Sequence, residues 1–171
     1  MKKLLFISAA LILPLFFFGQ GKSENLIVGW PAEYRWKTVA QREDSLSSMI
    51  IMIPGKEKTK NASILAQMKV FNNIKYGNSS EIERFYRKSL DIGTTMTLIK
   101  KSDSSDHFWI LFKTETTSSE KYPEPESDLY FVIQGEYGLF QVNIAIRKPH
   151  IDEAIISKWS DIFLHSQFIT Q

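Results

Sequence analysis

The sequence predicts an α+β fold, a twisted, mainly antiparallel sheet of about seven strands covered by two amphipathic helices. Short apolar segments of strand length recur in groups of three and four, bounded by turn signals. Two stretches, one near Ser80 and one after Pro149, place apolar residues at helical spacing instead. Grouped strands favour antiparallel pairing, and two amphipathic helices need a sheet face to cover.

Ahead of that domain, residues 1–21 read as a signal peptide. Lys2 and Lys3 form a positive start, Leu4 to Phe18 is apolar apart from Ser8 and Pro14, and Gly19-Gln20-Gly21 supplies the small residues a signal peptidase requires. The apolar run is short of the ~20 residues a spanning helix needs, so cleavage is expected rather than anchoring. Residues 22–27 read as a polar spacer and 28–171 as one α+β domain, with no internal repeat or second domain.

Within the domain, Tyr34 to Val39 alternates as a strand, and Gln41 to Ser48 reads as the turn after it. Met49 to Ile53 is continuously apolar and stopped by Pro54-Gly55, the pattern of a strand buried on both faces. Ile64 to Phe71 is the third strand. Ser80 and Glu83 suggest a capping box for the first helix, with Ile82, Phe85, Tyr86 and Leu90 on its apolar face and Gly93 as its terminator. Four strands follow, at Met96–Ile99, Phe108–Phe112, Leu129–Ile133 and Leu139–Ile146. The last two flank a hairpin turn at Gly135-Glu136-Tyr137-Gly138. In the last strand Phe140, Val142, Ile144 and Ile146 share one face, while Leu139, Gln141, Asn143 and Ala145 make the other partly polar. The second helix, capped near Asp152, carries Ile155, Trp159, Ile162 and Phe163.

Charge narrows the partners. Lys and Arg number 21 against 19 Asp and Glu. Loss of Lys2 and Lys3 with the signal leaves the two signs equal, so the basic field that a general nucleic-acid binder needs is missing. The absence of cysteine excludes disulfides, thiolate metal sites and a lipid-modified cysteine. No other apolar run reaches transmembrane length, so no membrane insertion is expected after cleavage.

Chemistry is sparse. His107, His150 and His165 are not at ligand spacing, and His165 suits the carboxy-terminal end of a helix dipole. Asp103, Asp106 and His107 form the one metal-like cluster, but Asp and Ser are also ordinary turn residues. No nucleophile elbow, phosphate loop or dinucleotide fingerprint is present, and no catalytic residue or cofactor is expected. Aromatic residues, 13% of the chain, are the distinctive feature. Trp36, Trp109 and Trp159 fall at core positions. Trp30 and Tyr137 lie in loops or turns and are expected to be exposed. With Tyr34, Tyr122, Glu124 and Glu126 they make the candidate binding surface.

The stretch Gly29-Trp30-Pro31-Ala32-Glu33-Tyr34-Arg35-Trp36-Lys37, followed by Ile53-Pro54-Gly55, together with the element order over residues 28–168, resembles the PsbP/DcrB-like (Mog1-like) group of small exported bacterial proteins. That resemblance implies an α/β/α sandwich and a non-enzymatic accessory or binding domain, periplasmic or extracellular. It carries no catalytic residue across. The function expected is binding of another secreted or envelope protein. The alternative is a periplasmic carrier of an apolar or aromatic small molecule in a pocket between sheet and helix, and an enzyme with dispersed residues is the third reading. A binding module predicts a flat exposed patch, a carrier an apolar cavity, and an enzyme convergent polar groups with perturbed pKa values in a cleft. Oligomeric state is not legible.

Overall fold

A computed structural model describes residues 24–104, 107–117 and 124–170. Nine strands and two α-helices are present among them: β1 Glu24–Ile27, β2 Lys37–Glu43, β3 Ser47–Ile53, β4 Leu65–Asn72, α1 Ser79–Lys88, β5 Thr94–Asp103, β6 Phe108–Thr116, β7 Glu126–Gln134, β8 Gly138–Ile146, α2 Glu153–Leu164 and β9 Gln167–Thr170. Seven strands form one sheet in the order β2-β3-β4-β8-β7-β6-β5, and every neighbouring pair is antiparallel. The expected α+β class therefore holds. Two meanders, β2-β3-β4 and β5-β6-β7-β8, meet where β8 pairs with β4.

That topology decides where the helices lie. The chain leaves β4 at the sheet centre and re-enters at the far edge as β5, so α1 crosses one face and buries Ile82 and Tyr86 against Ile110, Phe112, Val132 and Leu139. Helix α2 follows β8 and packs on the opposite face, where Trp159 and Phe163 meet Phe131, Phe140, Val142 and Ile144. Alternation along β8 sends even-numbered side chains to the α2 face and odd-numbered ones to the α1 face. Both faces are covered there, and all nine β8 residues are buried. Each fully buried Leu, Ile or Phe contributes about 1.5–3 kcal/mol, so this strand anchors the domain.

Several local expectations shift. Residues 24–27 are not spacer: β1 pairs with β9 from Glu24↔Thr170 to Ile27↔Gln167, and Leu26 joins the core. The Glu24 carboxylate accepts the Glu136 amide at 2.7 Å, and a side chain at Gly135 would collide with it. A short 3-10 turn occupies Ala32–Tyr34, and the strand begins at Lys37 and runs to Glu43, because Asp44 Oδ1 tightens the turn by accepting the amides of Leu46 and Ser47. Strand β3 is half-buried at Met49, Ile50 and Ile51 rather than buried on both faces, and it is fully buried only at Ser48 and at Met52 and Ile53.

The first helix starts earlier than expected. Asn78 is its cap, accepting the Glu81 amide at 3.0 Å, while Glu81 accepts the Gly77 amide at 2.8 Å. The cap expected at Ser80 thus lies two residues upstream at Asn78, and the Glu81 carboxylate reaches the amide of Gly77 rather than that of the cap residue itself. Glu83 instead pairs with Arg87 and Lys101. Phe85 is exposed rather than core. Gly93, at φ 86°, lies beyond the helix end at Ser89 and serves the turn into β5. Asp152 precedes α2 without capping it through its side chain, which accepts from Lys148.

Candidate functional site

A cleft of about 310 Å³ opens between the carboxy-terminal end of α1 and the α1 face of β6, β7 and β8. Its size is at the lower end of small-molecule sites, ~300–1,000 Å³. The floor follows from register. Phe112 faces Tyr130 across β6 and β7, Thr114 faces Asp128, and Tyr130 faces Asn143 on β8. Phe112 and Tyr130 stack at 4.9 Å with 10° between their planes. Thr94 and Thr116 exchange a hydrogen bond of 2.9 Å at the edge, and Glu124 and Glu126 stand exposed at the mouth.

A continuous polar network lies beneath. The Tyr86 hydroxyl donates to Gln141 Oε1 at 2.7 Å, Gln141 Nε2 to Asn143 Oδ1 at 3.2 Å, and Asn143 Nδ2 to Asp128 Oδ1 at 3.2 Å. Thr114 Oγ1 donates to the other Asp128 oxygen at 3.4 Å, and Tyr130 also bonds to this carboxyl. The large majority of buried polar groups in folded proteins are satisfied in this manner.

Asp128 is 7% exposed. Burial, reinforced by the charge of Glu126, pushes its carboxyl up to about 7, although Asn143, Thr114 and Tyr130 all stabilise the anion. Desolvation also raises Glu126, against the pull of Arg147. Burial raises both tyrosines, Tyr130 with added repulsion from Asp128, so their hydroxyls stay neutral.

A second trough, of about 320 Å³, lies on the α2 face against Tyr34, Ile64, Ile146, Ile155 and Trp159. It lacks convergent polar groups. Its one cation, Lys158, is held by Glu33 at 3.0 Å and lies 5.0 Å from the Tyr34 ring centre.

The residues singled out from sequence divide between the faces. Glu124 and Glu126 line the cleft, and Glu124 pairs with Arg147 at 3.5 Å. Trp30 and Tyr34 are on the α2 face, half-buried, within 4.8–6.4 Å of the rings of Trp36, Trp159 and Phe163. Trp30 is therefore packed rather than freely exposed, because the rings of Trp36, Trp159 and Phe163 offer it apolar surface. Tyr137 is half-buried at the β7–β8 turn. Tyr122 lies outside the described residues. The flat patch expected of these side chains does not form among those described.

The metal-like cluster is also divided. Asp103 Oδ1 accepts the Ser79 amide at 2.6 Å, and that bond holds its carboxyl below the usual range. His107 bonds the Gln134 carbonyl at 3.1 Å and packs on Phe168, while Asp106 is outside the described residues. Among the described residues no three His, Asp or Glu side chains gather as metal ligands. His165 sits at the end of α2, bonded to the Asp161 carbonyl.

Sequence reasoning does not single out the cleft residues Tyr86, Thr114, Asp128 and Gln141 as site candidates, and it marks Tyr130 only as one of the aromatic residues able to line a recognition surface. Their signal was the polar alternation of β8, Gln141 and Asn143, matched by Asp128 inside an apolar strand. No protein-family model and no curated protein matches the chain.

Proposed function

We propose that this chain is an exported small-molecule-binding domain that holds its ligand in the α1-face cleft. The carrying observation is an aromatic and hydroxyl-lined cleft whose buried wall ends in one partly charged carboxyl, Asp128. A sandwich with helices on both faces leaves such a cleft where a helix ends short of the sheet edge. The segment 1–21 supports export, and no described helix is long and apolar enough to cross a membrane.

An upshifted buried carboxyl is also the equipment of a general acid. Yet the surrounding hydroxyls and amides are bonded to one another, and no imidazole or amine is among the described lining residues. Binding requires no further partner; catalysis does.

Native mass spectrometry of the protein purified gently from its own cells tests this reading. The expected result is a discrete small adduct, lost on denaturation and lost again in Thr116→Trp, which fills the cleft. An adduct retained by that variant, or a protein-sized adduct alone, overturns it.

A further inference from the structure

The trough on the α2 face differs from the cleft in what borders it. Its lining is apolar, with Ile64, Ile146 and Trp159 recessed and Tyr34 and Ile155 half-buried. The loop that follows β3 starts and ends on this trough. At one end the Gly55 amide donates to the carbonyl of Tyr34 at 3.0 Å, and a Cβ at Gly55 would strike the Arg35 carbonyl. At the other end Ser63 and Ile64 line the trough itself. Between them lie Lys56, Lys58 and Lys60, all exposed.

The loop is pinned through its backbone, which leaves those ammonium groups free. Lys37 donates to the Glu57 carbonyl and Arg147 to the Lys60 carbonyl. The one acid in the loop, Glu57, accepts the Ser63 amide at 2.6 Å and the Ser63 hydroxyl at 2.8 Å. Glu33 is held by Lys158. Lys56, Lys58 and Lys60 have no ion-pair partner among the described residues. On the helix side the exposed Glu153 opens α2, next to the trough residues Ala154 and Ile155.

We propose that this trough is a docking surface for an acidic segment of another protein, which sets one large apolar side chain in the trough and its carboxylates over Lys56, Lys58 and Lys60. Charge complementarity selects the acids and also orients them, towards the loop and away from Glu153. Shape selects the kind of partner. A small-molecule site buries most of its ligand, whereas this open trough covers one side, so the occupant must bring its own cover. A lipid surface is met by protruding apolar side chains, and the apolar residues here are recessed.

A blocked peptide, Phe-Asp-Glu-Asp-Glu, is the probe. Phe-Asn-Gln-Asn-Gln removes its charge and Ala-Asp-Glu-Asp-Glu its apolar anchor. The amides of Gly55 and Ser63 and the indole of Trp159 report the trough; the amides of Thr114 and Gln141 report the cleft. At low ionic strength the acidic probe is expected to shift the trough resonances and leave the cleft amides unmoved. Its Kd is expected to be about tenfold below that of either control, since exposed ion pairs are weak singly and three act together. The combined Lys56→Gln, Lys58→Gln, Lys60→Gln variant is expected to lose that advantage. Ala154→Trp, which fills the trough from its exposed rim, is expected to abolish the shifts. Should Ala154→Trp disturb α2, the lysine variant still decides, because it alters only solvated side chains. The proposal is overturned if the neutral peptide binds as tightly, if the lysine variant keeps the preference, or if the trough resonances stay unmoved at millimolar peptide. Phosphatidylglycerol vesicles or a single-stranded oligonucleotide that bind the same lysines more tightly than the peptide also overturn it, in favour of a lipid or nucleic-acid partner.

Discussion

The Tyr86 hydroxyl donates to Gln141 Oε1 at 2.7 Å, a bond across 55 residues that ties the last turn of α1 to the central strand β8. Both side chains are buried. Tyr86→Phe keeps the ring contacts with Phe112 and Phe85 but strands the Gln141 oxygen. A buried acceptor left alone costs about 1–3 kcal/mol. Urea unfolding should show that loss in the midpoint with the slope unchanged, and an unchanged midpoint would show that water replaces the bond.

Asp128 makes stability depend on pH in a definite direction. In the folded chain its carboxyl is raised from an ordinary 3.8 to about 7, so between those values the folded state keeps a proton that the unfolded state releases. Stability is therefore lost as pH rises through this window, and the whole penalty is present above about pH 7. At about 1.4 kcal/mol per pH unit its ceiling is about 4 kcal/mol. Asp128→Asn removes the penalty while its amide oxygen can still accept from Asn143. The variant is expected to be more stable than the parent at pH 8 and equal to it near pH 3. Thermal unfolding of both proteins across that range checks the difference, in which the other carboxylates cancel; a constant difference contradicts the assignment.

Helix α1 separates two capping schemes. Asn78→Ala should cost about 1 kcal/mol, the usual value of a lost amino-terminal cap, whereas Ser80→Ala should be near neutral. Ser80 only accepts from the exposed Lys101 ammonium. Chemical denaturation of the two variants decides it, and the reverse ranking would restore the cap to Ser80.

Those two residues also show what the sequence made legible. Apolar periodicity located α1, α2 and all seven sheet strands, because burial imposes period 3.6 or 2 wherever an element has one core face. It placed the helix start poorly, since Asn78, Ser79 and Ser80 all have capping side chains and only the fold shows which amide each one reaches. Strands β1 and β9 were invisible. Each is four residues long, and their pairing joins the two ends of the domain, a separation that no local pattern encodes.

For the site, legibility stopped at single strands. Gln141 and Asn143 announced a polar face on β8, but Asp128, Thr114 and Tyr86 come from three other elements. Only register and the path of α1 across the sheet bring them within hydrogen-bonding distance. Glu124 and Glu126 read from sequence as a loop surface and line the cleft for another reason: they lead into β7 beside Asp128. Trp30 misled for the opposite reason. A loop position suggested exposure, whereas Trp36, Trp159 and Phe163 provided apolar surface to cover it.

The two chain ends give the last prediction. Glu24 precedes Asn25 and Leu26 in β1, and its carboxylate accepts the amides of Glu136 at 2.7 Å and Tyr137 at 3.5 Å in the β7–β8 turn. Strand β9 holds β1 in place, with Phe168 against Phe140 at 5.1 Å and His107 at 4.6 Å. Glu24→Ala leaves the two turn amides to water, and Phe168→Ala removes the half-buried ring that presses the ribbon onto the sheet. Hydrogen exchange at Glu136 and Tyr137 should accelerate in both variants, because either loss lets the carboxylate leave the turn. Only Phe168→Ala should also lower global stability, by about 1–3 kcal/mol, less than a fully buried aromatic would cost. Exchange at Glu136 unaltered in Glu24→Ala would mean that the turn holds itself and that β1 is tethered by its pairing with β9 alone.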